Sequence, residues 1–125
     1  MLLDWLHYPA SRVVHVDIAF RDDKQATTFS SLRLLTREYG NDRAQKIARH
    51  LKRFELADTL ADVWAGPGRP HELKGDRAGQ ISFDLGHPFR LLVRPTDDPP
   101  PTKEDGGLDR TEVRAITIVE VADTH

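Results

Sequence analysis

The spacing of apolar residues changes twice along this chain, and that change constrains the fold more than any other feature of the sequence. Apolar and polar positions alternate from Arg12 to Phe20, which is typical of a half-buried strand. The spacing then becomes helical, first over Lys24–Tyr39 and then over Asp42–Leu56. Gly40 lies between these segments and is a suitable end for the first helix. The pattern predicts a strand followed by a helix hairpin.

Alternation returns in the second half of the chain. Gln80–Leu85 and Phe89–Val93 flank the sequence Gly-His-Pro, which predicts a β-hairpin, and Ala115–Val121 is rich in β-branched residues. The predicted order is therefore β-α-α-β-β-β. Such an order favours the α+β class, with an antiparallel sheet packed against the N-terminal helix hairpin. The length of 125 residues fits a single domain over residues 1–125.

An acidic, proline-rich segment interrupts the second half. Residues 96–112 carry six acids against two bases, and residues 96–107 contain three consecutive prolines and two consecutive glycines. This composition predicts an insertion that is an exposed loop or partly disordered. An insertion of that charge would repel RNA if it folded over a nucleic-acid site.

Composition excludes several classes of function. The chain has no cysteine, which excludes disulfides, thiol nucleophiles and thiolate metal sites. No apolar run approaches the roughly 20 residues that a transmembrane helix needs, and the N-terminus lacks the basic region of a signal peptide. We therefore expect a cytoplasmic protein without a membrane partner. The net charge is −2, yet residues 33–54 carry seven bases against two acids, so a polyanionic partner is compatible with the sequence.

The densest group of chemically active side chains lies in residues 70–80. His71, Lys74 and Arg77 offer an imidazole, an ammonium and a guanidinium within seven positions, and Gly75 and Gly79 allow close backbone approach. Together these groups suit a phosphodiester, which needs proton transfer and cationic stabilisation. The alternative interpretation is a solvated, charged turn. The sequence shows no metal-binding or nucleotide-cofactor motif, so neither a metal nor a cofactor is predicted.

Three more residues belong to the candidate site only if the sheet brings them there. Arg90 begins a predicted strand and is otherwise a surface arginine with its stem packed on a neighbour. Asp123 and His125 follow the last predicted strand. A terminal histidine is usually frayed, unless the strand before it is central and positions it.

Three stretches of the chain, in this order, resemble the HigB ("killer protein") branch of the RelE/ParE toxins. That branch shows H-x-L-K-G-x-R-x-G-x-W/F-S, then W/Y-R-L, then an ending of the type E-D-Y-H. The corresponding stretches here are residues 71–80 (HELKGDRAGQ), residues 89–92 (FRLL) and the terminal acid-x-His at 123–125. The resemblance covers residues 12–125 and implies a RelE-like fold.

The resemblance implies a toxin of a type II toxin–antitoxin system. HigB-like toxins are ribosome-dependent mRNA endoribonucleases (mRNA interferases) that inhibit translation without a metal ion. The 2′-hydroxyl attacks the adjacent phosphate and yields a cyclic phosphate and a free 5′-hydroxyl. By the resemblance, His71 and His125 transfer protons, in an order that the sequence leaves open. Lys74 and Arg90 then stabilise the phosphate charge, and Arg77 binds the neighbouring backbone.

The implied partners are mRNA, the ribosome and an antitoxin. The antitoxin of this branch is a small helix-turn-helix protein of the HigA type, and a toxin–antitoxin heterotetramer is expected. Asp123 matches the acid that orients a catalytic partner. The basic face of the second helix, with Arg43, Lys46 and Arg53, is available for ribosomal RNA backbone; it is equally compatible with an ordinary solvated face. His50 was expected on the same exposed face.

One residue departs from the pattern. Thr124 stands where the family usually has a tyrosine, so the position offers neither a stacking ring nor a phenolic acid. Two alternatives remain open, and Thr124 and the net acidity favour the second of them. The first is a ParE-like protein that binds and poisons DNA gyrase, although such proteins generally lack the terminal acid-x-His. The second is a catalytically weakened relic that only binds its antitoxin as a regulatory module.

Overall fold

Residues 15–123 are described by a computed structural model, and in this range one five-stranded sheet carries the helices on one of its faces. The strands are β1 (Asp17–Phe20), β2 (His71–Glu72), β3 (Ile81–Asp84), β4 (Phe89–Pro95) and β5 (Ala115–Asp123). The helices are α1 (Asp23–Phe29), α2 (Leu32–Tyr39), α3 (Asn41–Leu56) and α4 (Leu60–Trp64). The strand order in the sheet is β1-β5-β4-β3-β2. The predicted α+β class is confirmed.

The sheet is mixed, so the prediction of a purely antiparallel sheet is wrong. The pairs β2–β3, β3–β4 and β4–β5 are antiparallel. The pair β1–β5 is parallel, with Ile18 opposite Ile116 and Phe20 opposite Ile118. Apolar alternation shows which side of a strand is buried, but it carries no information on the strand's direction. The last strand nevertheless lies in the interior of the sheet, between β1 and β4.

The predicted Lys24–Tyr39 helix is two helices. Ser30 and Ser31 interrupt it: the Ser30 hydroxyl donates to the Ala26 carbonyl at 2.7 Å, and the Ser31 hydroxyl accepts from the Leu34 amide at 3.2 Å. Serine competes for backbone groups in this way, which ends one helix and caps the next. The second predicted helix is confirmed and begins one residue early, as α3.

Two elements were not predicted. Helix α4 is only five residues long and begins at a capping box formed by Thr59 and Asp62. Strand β2 has two residues, and it pairs His71 with Ser82 and Glu72 with Ile81. Both elements are too short to produce a recognisable period.

The two faces of the sheet differ in what covers them. The face turned to the helices, here the helix face, is built around a core of strand residues: Ile81, Phe83, Leu91, Val93, Ile116 and Ile118, all at most 1% exposed. They pack with α3 residues such as Ile47 and Phe54. The alternate positions of the same strands form the opposite face, here the open face: Ser82, Asp84, Arg90, Leu92, Glu120 and Ala122.

A β-bulge at Val119 determines which residues of β5 reach the open face. Ile118 is opposite Val93, but Glu120 is opposite Leu92, so Val119 is an extra residue in β5. Arg21 and Gln25 at the start of α1 both donate to the Val119 carbonyl, at 3.1 and 3.0 Å. The bulge turns Glu120 to the open face.

The acidic insertion, predicted as an exposed loop or a partly disordered segment, contacts the rest of the fold near both of its ends. The Thr96 and Thr117 hydroxyls are 2.9 Å apart, the Asp109 amide donates to the Pro101 carbonyl, and Leu108 packs against the core. Most side chains between 97 and 106 are exposed, as predicted.

Arg110 adds two further contacts between the insertion and the rest of the fold. The Arg110 guanidinium lies 3.8 Å from the centroid of the Trp64 ring in α4 and 3.8 Å from a Glu72 carboxylate oxygen. Glu72 is opposite Ile81 and so belongs to the helix face. The insertion is therefore fastened beside α4 and the β2 edge. No helix within residues 15–123 has the length and apolar character needed to cross a membrane.

Candidate functional site

The strand register brings three of the predicted site residues to the open face. Residues that are opposite one another on adjacent strands form a row across the sheet. One row on the open face consists of His71, Ser82, Leu92 and Glu120, and the next consists of Asp84, Arg90 and Ala122. Adjacent strands are about 4.8 Å apart, so long side chains from neighbouring rows reach one another. Arg77 comes to the same face from the loop between β2 and β3. His71, Arg77 and Arg90 therefore share one surface.

His71 is exposed, and its hydrogen bond defines its tautomer. Nδ1 lies 3.1 Å from the Arg69 carbonyl, which can only accept, so Nδ1 carries the proton. In the neutral ring, Nε2 is then left with a lone pair. An exposed imidazole in this state can accept a proton from a hydroxyl that approaches Nε2.

Arg90 is held by a carboxylate that the sequence reasoning missed. Its Nη1 lies 2.5 Å from Asp84 Oδ1, and the two side chains are only 18% and 33% exposed. Arg69 adds a longer contact to the other Asp84 oxygen, at 3.9 Å. Arg90 therefore has a fixed position on the open face, stabilised by a partly buried, charge-assisted hydrogen bond.

Arg77 reaches a second carboxylate. It ends a short 3-10 turn, Gly75–Arg77, and its Nη1 lies 3.2 Å from Glu120 Oε2 and 3.4 Å from Gln80 Oε1. Lys74, just before this turn, is exposed, and the structure shows no hydrogen bond or ion pair for its ammonium within residues 15–123. Within residues 15–123, the β2–β3 loop thus carries Arg77, which is paired with Glu120, and Lys74, which has no ion-pair partner.

The backbone beneath Asp84 is fixed from the helix side. The Asp84 amide donates to the Gly68 carbonyl at 2.8 Å, and the Asp84 carbonyl accepts from His50 Nε2 at 2.8 Å. Because Nε2 carries the proton, Nδ1 accepts from Arg53 Nη1 at 3.1 Å. Burial is the main cause that lowers the pKa of His50 below its usual range, which favours this neutral form.

Gly68 is required by this arrangement. Its φ is +107°, and an added Cβ would lie 2.7 Å from His50 Cε1. A side chain at this position would therefore displace the imidazole that supports Asp84.

The basic residues of α3 are engaged within the protein on the helix side. The Arg43 guanidinium stacks on the Phe89 ring at 4.2 Å and donates from Nε to the Tyr39 carbonyl. Arg53 donates to the Pro67 carbonyl and to His50. Lys46 lies beside the β3–β4 turn at Gly86. His50 is 5% exposed, so its expected place on the solvated face is wrong.

The last two predicted residues are not brought to this surface. Asp123 is opposite Phe89, whose side chain packs against the helix-side core, so the register places Asp123 on the helix face. His125 lies outside the described residues, as does Thr124. Within residues 15–123, no three histidine or acidic side chains are grouped so as to hold a metal ion.

Two curated relatives match the sequence. The transposase for insertion sequence element IS6120 of Mycolicibacterium smegmatis is 34% identical over 110 residues, which is 86% of this chain and 31% of the transposase. Toxin YoeB of Streptomyces coelicolor is 37% identical over 54 residues, which is 43% of this chain and 63% of the toxin. This chain therefore spans about a third of the length of the transposase and less than two thirds of the length of the toxin. No protein-family model matches the chain.

Solved structures match over most of the chain. The YoeB dimer from Staphylococcus aureus is 20% identical, covers 90% of this chain and 99% of its own, and gives a TM-score of 0.50. The chain has a RelE-like fold. A YoeB–YefM complex from the same organism is 18% identical over the same shares, with a TM-score of 0.49. At these identities the likeness concerns the RelE-like fold alone.

Asp84, Glu120 and Ser82 are open-face residues that the sequence reasoning missed. Glu120 was hidden by the bulge: in a regular strand it would lie on the same face as Ile116 and Ile118. The sequence contained a signal for this, because the apolar positions of β5 change from Ile116 and Ile118 to Val119 and Val121. Asp84 gives no such signal, since its importance depends on its partner Arg90.

Proposed function

We propose that this chain is the toxin of a toxin–antitoxin system and that it acts as a ribosome-dependent, metal-independent mRNA endoribonuclease. The observation that carries the proposal is the open face, where His71, Arg77 and Arg90 converge and Lys74 lies on the adjoining loop. A general base beside three cations is what cleavage of a phosphodiester by its own 2′-hydroxyl requires. The RelE-like fold and the partial match to a YoeB toxin support the same assignment.

The reaction follows from these groups. His71 Nε2 takes the proton of the 2′-hydroxyl, the 2′-oxygen forms a bond to phosphorus, and the bond from phosphorus to the 5′-oxygen breaks. Lys74 and Arg90 stabilise the charge on the phosphoryl oxygens, and Arg77 binds an adjacent phosphate. His125 supplies the proton to the leaving 5′-oxygen. This last step rests on the sequence resemblance alone, as does an orienting role for Asp123.

The proposed partners are mRNA on the ribosome and a small antitoxin that covers the open face. The resemblance suggests a helix-turn-helix antitoxin of the HigA type and a heterotetrameric complex. The toxins among the matched proteins are YoeB proteins, one of them bound to YefM. We therefore propose a RelE/ParE-type toxin and leave the HigB branch and the HigA-type antitoxin as predictions. Co-expression with the product of the adjacent short gene, followed by sizing of the complex, tests both.

A weakened toxin is the second candidate, and one observation favours it. Asp84 and Glu120 neutralise two of the cations that a phosphate would need. In this candidate the chain retains antitoxin binding without measurable cleavage. A ParE-like gyrase poison is the third candidate, and its toxicity would require neither His71 nor Lys74.

Controlled expression in a bacterial host separates these three functions. The native chain is expected to stop incorporation of labelled methionine within minutes, without DNA breaks. His71→Ala and Lys74→Ala should each abolish this arrest and leave the fold intact, because both side chains are exposed. Lys52→Ala, an exposed lysine on α3, is the matched control and should remain toxic. Arrest that persists in both site variants contradicts the catalytic assignment, and DNA breaks would indicate the gyrase poison.

A further inference from the structure

The two arginines of the open face are paired in different ways. Arg90 and Asp84 are 18% and 33% exposed, and both backbone groups of Asp84 are fixed by Gly68 and His50. Arg77 and Glu120 are 35% and 44% exposed, and their charged atoms are 3.2 Å apart. An exposed ion pair contributes only about 0–1 kcal/mol, whereas breaking a buried one costs several times more. The Arg77–Glu120 pair is thus the weaker of the two.

The Arg77 side chain crosses the open face to reach its partner. Arg77 also contacts Gln80, directly before β3, while Glu120 belongs to β5. Strand β4 lies between β3 and β5, and Leu92 is the β4 residue in the row of Glu120. Leu92 is fully buried although it lies on the face away from the helices. Arg77 therefore spans from the β2–β3 loop to β5 on the open face in the free protein.

The same row contains a hydrogen-bonding group without a partner. Ser82, adjacent to Leu92 in the row, is 0% exposed, and its hydroxyl has no hydrogen bond. Buried hydroxyls are nearly always paired, and an unpaired one is destabilising. At the other end of this row, Glu120 is partly exposed and pairs with Arg77.

We propose that Glu120 is an affinity-determining residue that occupies the anion site of Arg77 in the free protein and is displaced by a phosphate of single-stranded RNA. This inference rests on the proposed function, whose phosphate-binding role for Arg77 it deepens. Carboxylate and phosphate use the same planar guanidinium donors, so both cannot occupy them fully. Arg90 keeps Asp84 throughout, because that pair is partly buried and its carboxylate is anchored. Lys74, which is unpaired, makes the first contact with the strand.

Binding of a strand that cannot be cleaved tests the exchange without any dependence on activity. The probe is a fluorescent single strand of about eight nucleotides with 2′-hydrogen in place of the 2′-hydroxyls. Glu120→Gln keeps the side-chain shape and removes the competing charge, and we expect it to tighten binding about threefold. Glu104→Gln, which removes an equal charge from the exposed insertion, is the matched control and should change the affinity by less than about 1.5-fold.

The background of Arg77→Gln separates displacement from simple charge repulsion. If Glu120 acts by occupying Arg77, the Glu120→Gln effect disappears when Arg77 is absent. If the effect persists in that background, Glu120 only repels the strand and the proposal is wrong. The Nε–Hε resonance of Arg77 gives a second, direct readout in the native chain, and it should shift on titration while that of Arg90 stays constant. A resonance of Arg77 that does not shift at saturation also overturns the proposal.

The outcomes distinguish this inference from the proposed function. A chain that stops translation but binds the strand equally well with Glu120 or Gln contradicts the exchange alone. A chain that shows the exchange but leaves translation unaffected contradicts the ribonuclease alone. If neither the native chain nor Glu120→Gln binds the strand, the exchange is contradicted, because Arg77 then has no phosphate to accept.

Discussion

His50 is the residue at which α3, the loop at Gly68 and strand β3 meet. Its imidazole donates to the Asp84 carbonyl and accepts from Arg53, and it contacts the Phe83 ring with the centroids 5.5 Å apart. Both ring nitrogens are therefore satisfied only in the neutral form. Protonation would place a second donor against the Arg53 guanidinium.

This arrangement predicts that the protein loses stability in mild acid. Burial lowers the pKa of His50 in the folded state, and the nearby Arg53 and Arg49 act in the same direction, while the hydrogen bond to Asp84 opposes them. Below the ordinary value of 6.5 the unfolded chain binds a proton that the folded chain resists, so the free energy of unfolding falls as the pH decreases. Above that value this contribution is fully present.

Urea unfolding of the native chain between pH 8 and pH 5 measures this effect. His50→Gln cannot titrate, so its free energy of unfolding should be lower at pH 8 and should depend less on pH between about 7 and 5. Equal slopes for the native chain and His50→Gln would show that His50 is not the group responsible.

Two buried hydroxyls of the sheet predict opposite effects of their removal. The Ser82 hydroxyl has no partner, so Ser82→Ala should raise the free energy of unfolding by about 1 kcal/mol. The Thr117 hydroxyl is 2.9 Å from that of Thr96, so Thr117→Val should lower it by about 1 kcal/mol. Chemical denaturation of both variants checks the contrast. A loss of stability in Ser82→Ala would mean that the hydroxyl is satisfied in the folded protein.

Among the elements, the acidic insertion is held in part by the Arg110 side chain. Arg110 stacks on Trp64 and contacts Glu72, so Arg110→Ala should lower the free energy of unfolding by about 1 kcal/mol. Lys103→Ala, at an exposed position inside the insertion, should change it by less than about 0.5 kcal/mol. A melting temperature unchanged by Arg110→Ala would indicate that the insertion is held by its backbone contacts alone.

Periodicity predicts the elements of this chain well where they are long. Helix α3 and strands β3 and β4 lie close to their expected bounds because each buries one regular face. Strand β5 also lies close to its expected bounds, although the bulge at Val119 changes which of its positions are buried. The break at Ser30 and Ser31 depends on two hydroxyls that bond locally, and a pattern of apolar positions does not register them.

The candidate site was predictable only in part. His71, Arg77 and Arg90 were identified from residue type, order and resemblance, and the register brings them to one face. Their carboxylate partners were not identified. Asp84 lies between the two motif stretches and meets Arg90 through β-pairing, and Glu120 reaches Arg77 because the bulge turns it to the open face. The bulge in β5 reverses which residues after Val119 point to each face of the sheet. The face on which Asp123 lies was therefore not predictable without the strand register.

At the scale of the whole molecule, the helices and the ionisable groups of the candidate site lie on opposite faces of the sheet. The helices, α3 above all, cover one face of the sheet and fix Asp84 through His50 and Gly68. The other face carries the ionisable groups, and Arg110 fastens the insertion beside α4 and the β2 edge.

Mapping of RNA ends in a reconstituted translation reaction tests the central claim most directly. A defined mRNA is translated with the native chain, and new 5′-hydroxyl ends are located by ligation and sequencing. We predict new ends within the translated region that require active ribosomes, and none with His71→Ala, since the proposed mechanism uses His71 as the base for the 2′-hydroxyl. Translation that proceeds without new ends in the presence of the native chain, or cleavage that is unchanged in His71→Ala, would contradict the account.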